Sequence, residues 1–246
     1  MLVIPAIDIY ENSIVRLKKG DFGSITYYKN TPFQQAKLYD SLGFQTVHIV
    51  DLIGSKSGKI TSLESIENIK ASTKLKIEFG GGIRDEKTVS ELFAAGVDFV
   101  IIGSLSVKNK AEFELILNNY PAEKIIAAID ANEEKLKITG WMEDTSISIY
   151  SHIEYCSNLG VKKFLCTDIS KDGMLSGTNI ELYKKILNNY KDIQLIASGG
   201  VKDIEELRTL KEINPYAVVV GKAIYEEKIN LKELAKFALQ KNNTLP

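Results

Sequence analysis

The chain has 246 residues, 44% hydrophobic and 26% charged, with a formal net charge of -1. That length suits one large domain or two small ones and allows a sizeable core. Lysine and arginine are scattered, which leaves no electrostatic footprint for nucleic acid or an anionic membrane. Two cysteines, Cys156 and Cys166, are too few for a disulfide framework, so a reducing cytoplasm is the expected location. Met1 to Ile9 is apolar but short, lacks a basic segment and is broken by Pro5, so it does not read as a signal peptide. No apolar run reaches the roughly 18 residues a membrane span needs.

In chain order, Leu2 to Ile9 predicts a strand. Tyr10 to Asn30 is a long polar stretch around Val15-Arg16-Leu17, compatible with a hairpin. Thr31-Pro32 starts a helix that runs to about Leu42, with Gly43 as its stop. Gln45 to Asp51 reads as strand, Ile53 to Thr61 as loop, and Ser62 to about Lys70 as helix. Leu75 to Phe79 is a strand, Asp85 to Ala95 a helix stopped by Gly96, Val97 to Ile102 a strand and Lys110 to Asn118 a helix. The second half repeats the rhythm: strand from Lys124 to Asp130, then a long loop, Ala131 to Asp144, compatible with a second hairpin and carrying the single tryptophan, Trp141. Ser146 to Leu159 reads as helix, Val161 to Asp168 as strand, Ile169 to Gly177 as loop and Asn179 to Leu187 as helix. Ile193 to Ala197 is a strand, Asp203 to Ile213 a helix, Tyr216 to Val220 a strand and Ala223 to Glu227 a short turn of helix. Leu231 to Leu239 is the last helix, followed by a polar tail to Pro246.

Four phrases recur in the same order. Ile4-Pro5-Ala6-Ile7-Asp8 returns as Ile126-Ala127-Ala128-Ile129-Asp130, and Val47 to Leu52 returns as Phe164 to Ile169. Gly80-Gly81-Gly82-Ile83-Arg84-Asp85 returns as Ser198-Gly199-Gly200-Val201-Lys202-Asp203, and Val100 to Ser104 as Val218 to Lys222. The offsets run from 117 residues (Asp51 to Asp168) to 122 (Asp8 to Asp130). A repeat that long is half a domain, not a solenoid unit. Eight near-continuous apolar strands, each followed by a helix in units of roughly 31 residues, predict an α/β fold, a single (β/α)8 TIM barrel. It would span 1-246 as two half-barrel repeats, about 1-122 and 123-246. A doubly wound open sheet fits less well, because no G-x-G-x-x-G turn follows the first strand.

Strands one and five of such a barrel lie opposite each other, so Asp8 and Asp130 would face across its mouth. The glycine turns after strands three and four would form one rim cluster and those after seven and eight the other. Such turns expose backbone N–H groups and suit phosphate. The arrangement calls for an elongated ligand with a phosphate at each end and a reactive centre between two carboxylates, one base and one acid. Which does which is open at this level. No metal-ligand spacing, G-x-S-x-G elbow or cysteine motif is present. His48, inside a strand, is expected to serve structure more than catalysis, and His152 falls on a helix.

These motifs, with Gly20-Asp21, Gly140-Trp141 and Thr167 to Gly173, resemble those of the phosphoribosylformimino-aminoimidazole-carboxamide ribotide isomerases of histidine biosynthesis. The resemblance covers essentially the whole chain. It implies an Amadori rearrangement in which an aminoaldose ring opens and loses its C2 proton. Asp8 would be the general base, Asp130 the general acid and Thr167 an assistant at the sugar. Gly82, Arg84, Gly103 and Ser104 would serve one phosphate; Asp172, Gly173, Gly177, Gly200, Gly221 and Lys222 match positions around the other. Trp141 would stack on the imidazole. The resemblance implies no cofactor and no metal. The partner expected is a bis-phosphorylated small molecule, with neither nucleic acid nor membrane, and the chain is expected to act as a monomer. The loops at Asp21 to Asn30 and Ala131 to Asp144 are expected to close over substrate.

Three positions depart from the pattern: Ile53-Gly54-Ser55, Lys19 and Thr139. Rival readings are the cyclase subunit of imidazole glycerol phosphate synthase, a dual isomerase also acting on phosphoribosyl anthranilate, and a non-catalytic phosphosugar-binding barrel. Pro5-Ala6-Ile7-Asp8 and Gly140-Trp141 favour the isomerase over the cyclase.

Overall fold

Eight parallel strands close on themselves in the computed structural model, which describes residues 1–18 and 20–240. The departure at Lys19 and the tail from 241 to 246 lie outside the described residues. The strands are β1 (Leu2–Tyr10), β2 (Thr46–Asp51), β3 (Lys76–Gly80), β4 (Phe99–Ile102), β5 (Ile125–Asn132), β6 (Lys163–Asp168), β7 (Gln194–Ser198) and β8 (Ala217–Val220). Each pairs in parallel with the next, and β8 pairs with β1, so the sheet has no open edge. This is the predicted (β/α)8 barrel, and β1 and β5 stand opposite, three strands apart in either direction.

The helices between them are α1 (Pro32–Ser41), α2 (Leu52–Ser57), α3 (Leu63–Ser72), α4 (Glu86–Ala94), α5 (Ser104–Lys108), α6 (Lys110–Asn119), α7 (Ile149–Asn158), α8 (Ile180–Asn189), α9 (Ile204–Ile213), α10 (Lys222–Tyr225) and α11 (Leu231–Leu239). Their starts follow the capping chemistry of the sequence. Thr31 and Gln34 exchange side-chain and backbone bonds in a capping box, with Pro32 at the first helical position. Asp85, Asn179 and Asp203 each accept from a backbone N–H of the first turn. Among the described residues no helix is long and apolar enough to cross a membrane.

Two hairpins rise from the barrel mouth. Strand Ser13–Lys18 pairs back on the end of β1 and is joined by Asp21–Tyr27; Lys135–Ile138 pairs on the end of β5 and is joined by Glu143–Ser148. Both long polar stretches are therefore ordered sheet extensions.

The structure differs from the predicted elements in three places. Ile53 to Thr61 is not all loop, because α2 begins directly after β2. The buried Asp51 carboxylate accepts from the Gly54 N–H (2.7 Å), the Thr61 N–H (2.6 Å) and the Ser62 hydroxyl (3.0 Å), holding the turn closed. Residues 146 to 148 belong to the second hairpin and not to α7, which starts at the Ser148 cap. Ser104–Lys108 forms a short helix where none was predicted.

The core has two layers, as strand alternation requires. Val47, Ile49, Ile77, Phe79, Ile102 and Ile129 pack outward with the helices. Ile4, Ala6, Ile101, Ile126, Leu165, Ile196, Ala217 and Val219 fill the barrel interior.

Candidate active site

Asp8 lies where β1 leaves the barrel, between β2 (opposite Val50) and the hairpin strand (opposite Val15). The hairpin folds Arg16 back onto it: Arg16 Nη1 donates to Asp8 Oδ2 at 2.5 Å and Nη2 donates to the Ala6 carbonyl at 2.8 Å. The guanidinium also stacks 5.1 Å from the Tyr225 ring centroid. Its burial lowers its pKa, but the charges of Asp8 and Asp172 more than offset this and hold it above its ordinary value. So Asp8 keeps a permanent cation in contact, and its own side chain is only 16% exposed.

The Gly221 backbone is in contact with this guanidinium. A Cβ on Gly221 would lie 2.6 Å from Arg16 Nη2, whereas one on Gly103 would meet Ala128 Cβ at an ordinary 3.5 Å. Gly221→Ala is therefore expected to displace Arg16 and lower kcat/KM by on the order of tenfold to 10²-fold, and Gly103→Ala by much less. Steady-state kinetics of the two variants check the contrast.

Asp130 occupies the matching place near the end of β5, beside Thr167 on β6. Among the described residues no cation pairs with it. Burial pushes its carboxyl up to about 6, against the opposing pull of the Trp141 and Thr167 side chains and the charge of His48. Asp172, in the turn after β6, is likewise pushed up to about 6, by burial first and then by the charge of Asp8. The charge of Asp130 adds a smaller upward push at Asp172.

These shifts carry a stability consequence. The folded-state pKa of Asp172 lies above the ordinary 3.8, so the native state holds its proton more tightly, and stability is lost as pH rises from about 4 through about 6. Asp172→Asn removes that cost and is expected to raise stability at about pH 8 by roughly 3 kcal/mol, with no gain below about pH 4. Melting temperatures at the two pH values read this directly.

The remaining predicted residues surround the carboxyls. On one rim Gly81 and Gly82 take φ of +103° and +83°, and a Cβ on Gly81 would sit 2.3 Å from the Asp51 carbonyl oxygen, so only glycine closes this turn. Gly103 and Ser104 open α5 with no side-chain cap on its first N–H groups. Arg84 reaches into the same space and donates to the Ser55 carbonyl (3.1 Å). On the far rim lie Gly173, Gly200, Gly221 and Lys222, whose Nζ donates to the Gly173 carbonyl at 2.8 Å. Trp141 hangs from the second hairpin with its ring on Gly20 of the first; a Cβ on Gly20 would be 2.6 Å from it. Thr139, Gly140 and Trp141 are three successive left-handed residues, a strained tip for a β-branched and an aromatic side chain.

Asp8, Asp130, Thr167, Gly82, Arg84, Gly103, Ser104, Trp141, Asp172, Gly173, Gly200, Gly221 and Lys222 line one cavity of about 240 Å³. Gly177 does not. It stands behind the rim, donating its N–H to the Gly200 carbonyl (3.0 Å) and packing on Glu206. The departures at Gly54-Ser55 and Thr139 resolve as packing. Gly54 lies under Gly82, Ser55 lines the cavity, and Thr139 donates its N–H to Ser104 Oγ (2.8 Å). Arg16 went without a role in the sequence reading. Its signal was a lone cation inside the apolar run Ile14 to Leu17, next to the strand that carries Asp8. Among the described residues no group of three His, Cys, Asp or Glu side chains could hold a metal ion.

A family model described as "histidine biosynthesis protein" matches residues 2–230. A protein of Flavobacterium johnsoniae is 41% identical over 239 residues, covering 97% of this chain and all of its own. One of Aquifex aeolicus is 43% identical over 235 residues (96% and 98%), and one of Caldicellulosiruptor saccharolyticus 42% over 234 (95% and 98%). All three carry the name 1-(5-phosphoribosyl)-5-((5-phosphoribosylamino)methylideneamino) imidazole-4-carboxamide isomerase.

Proposed function

The chain belongs to the histidine biosynthesis protein family, and from that premise we propose that it is an aldose–ketose isomerase, performing the Amadori rearrangement on a bis-phosphorylated ribosyl aminoimidazole carboxamide. The observation that carries the reading is electrostatic. One carboxylate is clamped by a buried guanidinium, and the carboxyls across the mouth are pushed up to about 6 with no ion pair to either among the described residues. That is the split of environments that acid–base chemistry on a sugar ring needs.

Asp8, held in place by Arg16, takes the C2 proton. Asp130, able to hold a proton near neutral pH, gives it to the ring oxygen as the ring opens, with Thr167 beside it. Asp172, with the same raised pKa, is the second candidate for the acid. Two rims of glycine turns receive the two phosphates, with Arg84 and Ser104 at one and Lys222 at the other. Trp141 covers the imidazole and excludes water. Action as a monomer in the cytoplasm, on a small phosphorylated molecule, is part of the proposal.

The test is turnover of the aminoaldose by the purified chain without ammonia or metal, followed by chromatography. The expected result is conversion to the aminoketose. No conversion, with product formed only from the aminoketose plus ammonia, would move the chain to the cyclase reading. Phosphoribosyl anthranilate in the same assay decides the dual-substrate alternative.

A further inference from the structure

Below the layer at the mouth that holds Asp8, Asp130, Thr167 and Ser198, the buried middle of the barrel interior is apolar except at two neighbouring strands. Ile4, Ala6, Ile101, Ile126, Leu165, Ile196, Ala217 and Val219 fill it elsewhere, while β2 places His48 there and β3 places Glu78. The alternation is unambiguous: Val47, Ile49, Ile77 and Phe79 on either side all pack outward with the helices. His48 Nδ1 and Glu78 Oε1 are 2.7 Å apart, and the residues are 6% and 2% exposed. A buried ionisable pair seldom stabilises a fold more than apolar residues of the same size. Its presence in the barrel interior therefore asks for a role. Glu78 takes no part in the cavity wall; His48 does, and with Nδ1 committed to Glu78 its Nε2 is the nitrogen left for the cavity. Position 48 pairs with Ala6, one residue pair below Asp8 on the same face, so the imidazole lies in the floor under the carboxyls.

The proton count of the rearrangement shows what such a group could do. As the bond between C1 and the ring oxygen breaks, a proton moves from Asp130 to that oxygen. As the C2–H bond breaks, its proton goes to Asp8 and its electron pair forms the carbon–carbon double bond of the enol. The enol then gives its hydroxyl proton to water and C1 takes one from water, so this step balances and leaves both carboxyls as they were. At the end Asp8 holds one proton too many and Asp130 one too few. No net proton is exchanged with solvent.

We propose that the His48–Glu78 pair carries this proton back: the O–H bond of Asp8 breaks as an N–H bond forms at His48 Nε2, and that N–H breaks as the carboxyl of Asp130 is re-formed. The proposal rests on the isomerase reading above. Glu78 holds the ring in place and balances the imidazolium that forms in transit. His48 lines the same cavity wall as Asp8, Asp130 and Asp172. The charged groups around the pair are Asp8 and Arg16 on one side, Asp130 and Asp172 on the other, and Lys163, which feels Glu78 from β6.

The experiment compares single turnover, with enzyme in excess over the aminoaldose, against steady-state turnover, in wild type, His48→Gln and Glu78→Gln. A relay resets the enzyme and is not needed for the first conversion. In His48→Gln the single-turnover rate should stay within about threefold of wild type while kcat falls on the order of 10²-fold. Glu78→Gln should show the same split, smaller, at about tenfold. Misfolding alone would lower kcat and spare the single-turnover rate, so kcat is expressed per folded molecule, with the folded fraction of each variant read from its circular dichroism. Equal loss in both regimes, or no loss in either, overturns the relay. A wild-type chain that does not convert the aldose overturns the isomerase reading and the relay with it; conversion with an unchanged ratio overturns the relay alone.

Discussion

Asp8→Asn is expected to lower kcat by about 10³-fold with little change in KM. The substitution keeps the shape of the side chain, and its carbonyl oxygen can still accept from Arg16 Nη1, so the hairpin, the Ala6 carbonyl contact and the Tyr225 stack stay in place. What it removes is the cavity-lining carboxylate that, among the described residues, is in contact with a cation. An interaction used only in the transition state lowers kcat and kcat/KM together. Steady-state kinetics with the aminoaldose check this. A kcat within tenfold of wild type would remove Asp8 from the role of base.

Asp130→Asn carries the second large effect, about 10²-fold or more in kcat, together with a change in pH profile. The acid must enter the reaction protonated. Its raised pKa of about 6 means that the competent form is present below that pH and is lost as pH rises through it. Wild-type kcat/KM should therefore fall on the alkaline side with an apparent pKa near 6. In Asp130→Asn that limb should disappear, leaving a low rate. Asp172 has the same raised value and feels the charge of Asp130, so Asp172→Asn is the companion variant. If the loss and the missing limb belong to Asp172→Asn, and Asp130→Asn keeps its activity, the acid is Asp172 and Asp130 supports it.

Much of the fold was legible because each strand is a near-continuous apolar run and each helix carries its own cap and stop. Thr31-Pro32, Asp85, Asn179 and Asp203 mark helix starts in the sequence and cap them in the structure. The elements that escaped are those whose formation depends on distant groups. Helix α2 was read as loop because Ile53-Gly54-Ser55 has no strong helical pattern; it forms because Asp51 gathers the Gly54, Thr61 and Ser62 donors around a buried carboxylate. Gly177 was read as part of a phosphate rim, and the chain path puts it one layer behind, supporting Gly200.

By itself the sequence determined the strand–helix alternation, and through the repeat it paired Asp8 with Asp130 and the two sets of glycine turns. Those features follow from local patterning and from an order along the chain that a closed barrel maps onto position around a ring. Only the tertiary structure decided the charge states. Whether a carboxyl is a base or an acid depends on what surrounds it across space: Arg16 folding back onto Asp8, burial without an ion pair among the described residues at Asp130 and Asp172, Glu78 against His48 inside the barrel. Desolvation and Coulomb interaction act over a few ångströms regardless of separation along the chain, and no local pattern of residues encodes them.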